Sequence, residues 1–207
     1  MDYIRDPGEI TRRSFEIIEA EVDFSGLPRE VVPLAVRIVH ACGMPDVVAD
    51  LRFSEGVLAA GHAALAATQP ILCDVRMVAA GIATPHLQPG YPVHAAIDQL
   101  EASELASRTD QTRTAAGMEL LARHHDGAIV VIGNAPTALF RLLEMLRDGA
   151  PRPAAILAFP VGFVGAAESK EALIAAGLDI PYVALRGRRG GSALAAAAVN
   201  ALALAEA

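Results

Sequence analysis

The chain has 207 residues, enough for one sizeable domain with a real core, and 53% of them are hydrophobic against 20% charged, which excludes a disordered chain. A formal net charge of -7 speaks against a nucleic-acid binder, which needs a basic balance to meet phosphates. No apolar signal segment opens the chain, and its apolar stretches are broken by Gly, Pro, Asn and charges, so no membrane partner is expected.

Two cysteines, Cys42 and Cys73, make no disulfide framework and read as small buried hydrophobes in a reducing cytoplasm. Of the seventeen basic residues only Lys170 is lysine. Arginine offers a planar fork that matches carboxylates and phosphates, although an Ala- and Arg-rich chain also follows from a GC-rich genome.

Residues 8–21 read as a first helix carrying Thr11, Ser14, Phe15, Ile17 and Ile18, followed by a connector through Gly26 and Pro28. Pro28, Arg29 and Glu30 open the next helical run, and Val32, Val36 and Val39 recur at helical spacing. Gly43 and Pro45 stop it, which places His40 in the last turn. Carbonyls there favour a positive imidazole by roughly 0.3–1 kcal/mol. His40 therefore reads either as a simple helix cap or as a proton donor working near neutral pH.

Leu51-Arg52-Phe53 suggests a short strand, with Ser54 as N-cap of a helix over 55–67. Residues 70–74 read as a short buried strand and 77–81 as the helix after it. The proline-rich stretch 82–98, with Thr84, His86 and His94, is expected to be a long surface loop. Helical texture returns over 99–124, decorated by Arg108, Asp110 and Arg113.

From residue 127 the pattern becomes three strand–helix units. Residues 128–132, 154–158 and 182–185 are apolar runs of the kind buried on both faces of a parallel sheet. Helices are expected over 138–147, over 167–176 and from Ser192 onward. The fold class is α/β: a single domain over residues 1–207, with a mostly parallel sheet flanked by helices, doubly wound in the Rossmann-like manner. Ligands of such sheets bind beyond the carboxyl ends of the strands.

Familiar chemistries find little support. No loop matches G-x-G-x-x-G or the phosphate loop ending in Lys-Ser/Thr, and the stretch Gly133–Thr137 holds a proline where free N–H groups are wanted. No serine sits in G-x-S-x-G. His86 and His94 lie eight apart in a loop, and His124 and His125 are adjacent and diverge, so no metal site is expected.

An ordered set of short motifs is more specific. Tyr3-x-x-Asp6-Pro7 precedes Ser14-Phe15-Glu16-Ile17-Ile18, then come Arg37-x-x-His40 and Asp74-x-x-Met77-Val78-x-x-Gly81. Val131-Ile132-Gly133-Asn134-Ala135-Pro136-Thr137-Ala138-Leu139 follows, then Pro160-Val161-Gly162-Phe163-Val164 with Glu168-Ser169-Lys170, and Gly190-Gly191-Ser192 before Asn200-Ala201-Leu202. Over nearly its full length the chain resembles the precorrin-8X methylmutase family of cobalamin biosynthesis. It departs at Cys42, where threonine is commoner, a position with no assigned chemistry.

The resemblance implies an isomerase that moves a methyl group from C11 to C12 of precorrin-8X to give hydrogenobyrinic acid, or acts on a cobalt form to give cobyrinic acid. It implies a tetrapyrrole partner, no cofactor, and a homodimer or higher homo-oligomer. The histidine matching His40 is the general acid and base, and Ser14, Arg37, Thr84 and Arg113 match substrate contacts. From the residues alone, Ser14 also reads as an exposed helical serine, Thr84 as turn chemistry and Arg113 as one half of a surface salt bridge. Two rival functions stay open: a nucleotide-dependent enzyme, from the strand–helix units, and a non-enzymatic tetrapyrrole carrier.

Overall fold

A computed structural model describes residue 1 and residues 3–204. The helices are α1 (Pro7–Glu21), α2 (Val32–Cys42), α3 (Val57–Ala66), α4 (Arg76–Gly81), α5 (Leu100–Thr109), α6 (Arg113–Leu120), α7 (Pro136–Arg147), α8 (Ala166–Ala175) and α9 (Ser192–Leu204). The strands are β1 (Leu51–Phe53), β2 (Ile71–Cys73), β3 (Val93–Ala95), β4 (Ile129–Ile132), β5 (Ala155–Ala158) and β6 (Tyr182–Leu185), joined in one sheet in the order β1-β6-β5-β4-β2-β3. Among the described residues, only the pairing of β1 with β6 is antiparallel.

The apolar runs behave as two-faced strands should. Ile71, Ile129, Val131, Leu157 and Val183 point to one face, where residues of α2, α3, α4 and α9 cover them. Leu72, Val130, Ile132, Ile156 and Ala184 alternate to the other face, under α6, α7 and α8. The sheet is thus doubly wound, as its sequence pattern implies.

Two local expectations are corrected. Val93–Ala95, inside the stretch 82–98, is not loop: it forms the edge strand β3, parallel to β2 with Ile71 opposite Val93. Three residues preceded by Pro89 and Pro92 show no alternation by themselves, and the strand exists because β2 offers a free edge. Tyr91 Oη holds its approach by donating to the Gln69 carbonyl at 2.7 Å.

Ser54 does not cap α3, whose N-cap is Gly56 in the left-handed region (φ 75°). Its hydroxyl instead accepts from the Tyr182 N–H at 2.6 Å and donates to the Tyr182 carbonyl at 3.4 Å, tying the end of β1 to the start of β6. A long-range pairing wins over local capping because β1 is only three residues long and needs that closure.

Candidate active site

The site grows from the open face of α2. Leu34, Ala35, Val36, Ile38 and Val39 are buried, which leaves Pro33, Arg37, His40 and Ala41 on the other side of the helix. The helix stops at Gly43, whose φ of 66° suits glycine and whose N–H closes on the Val39 carbonyl at 2.8 Å. His40 therefore sits in the last turn, three residues after Arg37 and on the same face.

One ring of α1 supports both side chains. The Arg37 guanidinium lies 5.3 Å from the centre of the Phe15 ring. The His40 ring meets Phe15 edge-on, with centroids 5.3 Å apart and planes at 83°. Partial burial pulls the Arg37 pKa below its usual value, and the side chain remains a cation. Among the described residues no carboxylate pairs with it, in contrast to Arg12, Arg76, Arg141, Arg186 and Arg189.

Arg37 and His40 open onto a cleft of about 320 Å³ whose other walls are Gly81 at the end of α4 and Asn200 of α9. Its floor is alanine: Ala193, Ala196 and Ala197. The cleft runs along three helices rather than capping a strand. A larger cavity of about 680 Å³ lies between the α1–α2 connector and β1, but Glu21, Asp23 and Asp46 line it, which suits an anionic ligand poorly.

The sheet's own ligand position is already filled. The order of strand addition reverses at β2, with β3 on one side of it and β4 on the other, and ligands of doubly wound sheets sit at such a switch point. Here the buried Asp74 accepts the N–H groups of Gly133 (3.0 Å), Asn134 (2.8 Å) and Ala135 (2.7 Å). These three donors at the head of α7 are the ones a phosphate loop would offer. Burial pushes the Asp74 carboxyl above the usual range, while the N–H groups pull it back toward the charged form.

Lys170 is the buried cation of the same sheet end. Its ammonium donates to the carbonyls of Pro160 (3.0 Å) and Arg189 (2.7 Å), fastening the loops after β5 and β6 to each other. Burial pulls its pKa down to about 8. Beyond that rim Phe163 and Val164 stand 83% and 89% exposed, and Met77 72% exposed.

The other sequence candidates fall in different places. Ser14 is half-buried on α1, one residue before Phe15. Thr84 is exposed and begins a short 3₁₀ turn through His86, next to Ala83, whose N–H is held by Asn200. Arg113 opens α6, in the layer on the opposite face of the sheet, so a single chain does not bring it to His40. It is exposed and has no salt-bridge partner among the described residues, so the surface-pair reading finds no support.

Sequence reading missed the roles of Phe15, Asp74 and Asn200. Each left a trace. Phe15 is an aromatic on a sparsely apolar helix, Asp74 a charge directly after a buried strand, and Asn200 a polar side chain in an alanine-rich helix.

Comparison with known proteins agrees with this architecture. The family model described as CbiC: Precorrin-8X methylmutase matches residues 9–205. A precorrin-8X methylmutase of Pseudomonas aeruginosa is 58% identical over 203 residues, covering 98% of each chain. A cobalt-precorrin-8 methylmutase of Methanothermobacter thermautotrophicus is 41% identical over 196 residues, covering 94% of this chain and 91% of its own. The crystal structure of the precorrin-8X methylmutase of Thermus thermophilus superposes with a TM-score of 0.85 at 37% identity, covering 94% of both chains. With its sequence matched almost end to end and its sheet shared, the chain belongs to the precorrin-8X methylmutase family.

Proposed function

We propose that this chain is the isomerase that moves a methyl group from C11 to C12 of precorrin-8X, giving hydrogenobyrinic acid in cobalamin biosynthesis, with His40 as general acid and base. The observation that carries the reading is the pairing of His40 with an arginine that, among the described residues, has no carboxylate partner, in one cleft, on a chain of this family.

The chemistry follows from the groups present. Substrate and product are isomers, so no atom is gained and any proton lent must be returned. The His40 imidazolium gives its proton to a ring nitrogen of the macrocycle. The positive charge draws electron density from the conjugated system and lowers the barrier to methyl migration. As the C11–methyl bond breaks, the C12–methyl bond forms. The ring nitrogen then returns its proton to His40. A positioned acid of this kind supplies about 10²–10⁴ in rate.

Arg37 binds a rim carboxylate of the polyanionic substrate, and burial against Phe15 strengthens that pairing. Ser14 and Thr84 flank the same helices and serve as further contacts, while Arg113 requires a ligand that extends past one chain's cleft. The cleft of about 320 Å³ takes one edge of the macrocycle, not the whole of it. The exposed Met77, Phe163 and Val164 support a homodimer or higher homo-oligomer that covers them. Light scattering that finds a lone subunit at micromolar concentration overturns that part.

Higher identity to the relative named for precorrin-8X favours the metal-free substrate over the cobalt form. A cytoplasmic setting suits the two free thiols. Among the described residues no helix is long and apolar enough to cross a membrane.

The test is the visible spectrum of precorrin-8X mixed with enzyme. Wild type converts it, and His40→Ala binds the pigment, keeps its fold and leaves the spectrum unchanged. Turnover at the wild-type rate in His40→Ala ends the assignment of His40. Binding by wild type with no spectral conversion makes the protein a carrier.

A further inference from the structure

Helix α9 carries one polar side chain into the cleft. Asn200 follows Ala195, Ala196, Ala197, Ala198 and Val199, and its neighbours Val199, Ala201 and Leu202 are buried. Neither end of its amide is idle. Oδ1 accepts the Ala83 N–H at 2.7 Å, and Nδ2 donates to the Gly81 carbonyl at 3.1 Å. An N–H can only donate and a carbonyl can only accept, so the orientation of the amide is set by its partners.

These two backbone groups sit where a helix leaves its polar ends unpaired. Gly81 is the last residue of α4, and its carbonyl is one of the terminal acceptors that a following turn would normally satisfy. Asn200 does so from another helix, 119 residues away in sequence. The fit at this level admits little slack: a Cβ at Gly81 would lie 2.7 Å from the Ala196 Cβ. Directly after Ala83 the chain turns at Thr84. Asn200 thus holds the end of α4, where Gly81 lines the same cleft as Arg37, His40 and Asn200 itself, and the start of the turn that leads to Thr84.

We propose that Asn200 is a positioning residue for substrate: by holding Gly81 and Ala83 it sets the wall, and with it Thr84, against which the edge of the macrocycle docks. This rests on the reading of the His40 cleft as the reaction site. The role concerns binding and not proton transfer, since Asn200 offers no titratable group and its bonds go to backbone.

The test compares Asn200→Ala, Asn200→Asp and His40→Ala as full-length protein, by steady-state kinetics with precorrin-8X and by amide hydrogen exchange. In Asn200→Ala, KM rises about tenfold, kcat stays within twofold, and exchange at residues 82–84 speeds up at least tenfold. Asn200→Asp keeps an acceptor for the Ala83 N–H but sets an oxygen against the Gly81 carbonyl; it folds, and its KM rises at least as much. Should Asn200→Ala fail to fold, the Asp variant decides alone. Faster exchange with KM unchanged reduces Asn200 to a structural cap and overturns the proposal, as does a raised KM with exchange unaltered in Asn200→Ala. Turnover surviving in His40→Ala overturns the acid–base assignment while leaving a KM effect at Asn200 standing, so the two failures are told apart.

Discussion

Phe15 meets His40 edge to face, with ring centroids 5.3 Å apart, while the same ring lies under the Arg37 guanidinium at 5.3 Å. A side chain of the first helix thereby sets the pose of both cleft residues. Phe15→Leu keeps apolar cover but loses the ring edge, a contact worth about 0.5–1.5 kcal/mol. The expected outcome is a kcat two- to tenfold lower with a melting temperature within a few degrees of wild type. Stopped-flow turnover beside a thermal melt checks it. Unchanged kcat shows that His40 needs no such support.

Arg37 lacks a carboxylate partner among the described residues, so its removal should touch substrate binding more than stability. A charge-assisted hydrogen bond to a substrate carboxylate is worth about 1.5–3 kcal/mol, roughly ten- to a hundredfold in affinity. Arg37→Ala is expected to raise KM by that factor, and Arg37→Lys by less, since it keeps the charge and loses the fork. Measured across salt concentrations, the wild-type KM should climb more steeply than that of Arg37→Ala. Parallel salt curves would remove Arg37 from the site.

Asp74 faces three N–H donors, so two carboxylate oxygens answer a need that one amide oxygen does not meet. Asp74→Asn is expected to cost about 2–4 kcal/mol. In a chain of this size that lowers the melting temperature by about 5–15 °C. If burial outweighed the hydrogen bonds, the neutral amide would be tolerated and the melt would barely move. Differential scanning calorimetry separates the two.

His125 gives the pH dependence a definite sign. It is fully buried, and among the described residues its ring nitrogens have no well-formed hydrogen bond. Burial, helped by the nearby His124, pulls its pKa from 6.5 to about 4, and the Met118 backbone opposes this only weakly. Between those values the unfolded chain takes up a proton that the folded one refuses. Stability from this group is therefore complete above pH 6.5 and is lost as pH falls toward 4. The loss amounts to about 3 kcal/mol at roughly 1.4 kcal/mol per pH unit. His125→Leu should flatten the fall in melting temperature over that window by about 6–12 °C relative to wild type. Identical slopes would place the acid sensitivity elsewhere.

What the sequence makes legible is what local pattern controls. The apolar runs at β4, β5 and β6 announce buried parallel strands, and the three-residue spacing of Arg37 and His40 is enough by itself to put them on one face of a helix. What stays hidden depends on distant partners. β3 is a strand only because β2 lies beside it, and Ser54 abandons a helix for Tyr182, 128 residues on. Asp74 and Asn200 belong to the motifs that carry the family resemblance, yet their partners at 133–135 and 81–83 cannot be read from periodicity.

The carboxylate of Asp74 has one wider consequence. By supplying an anion from within, the chain closes the berth where its architecture would otherwise moor a nucleotide. A phosphate arriving at that loop would meet a buried carboxylate in place of free donors, so the turn that binds cofactors in related architectures serves here as internal scaffolding.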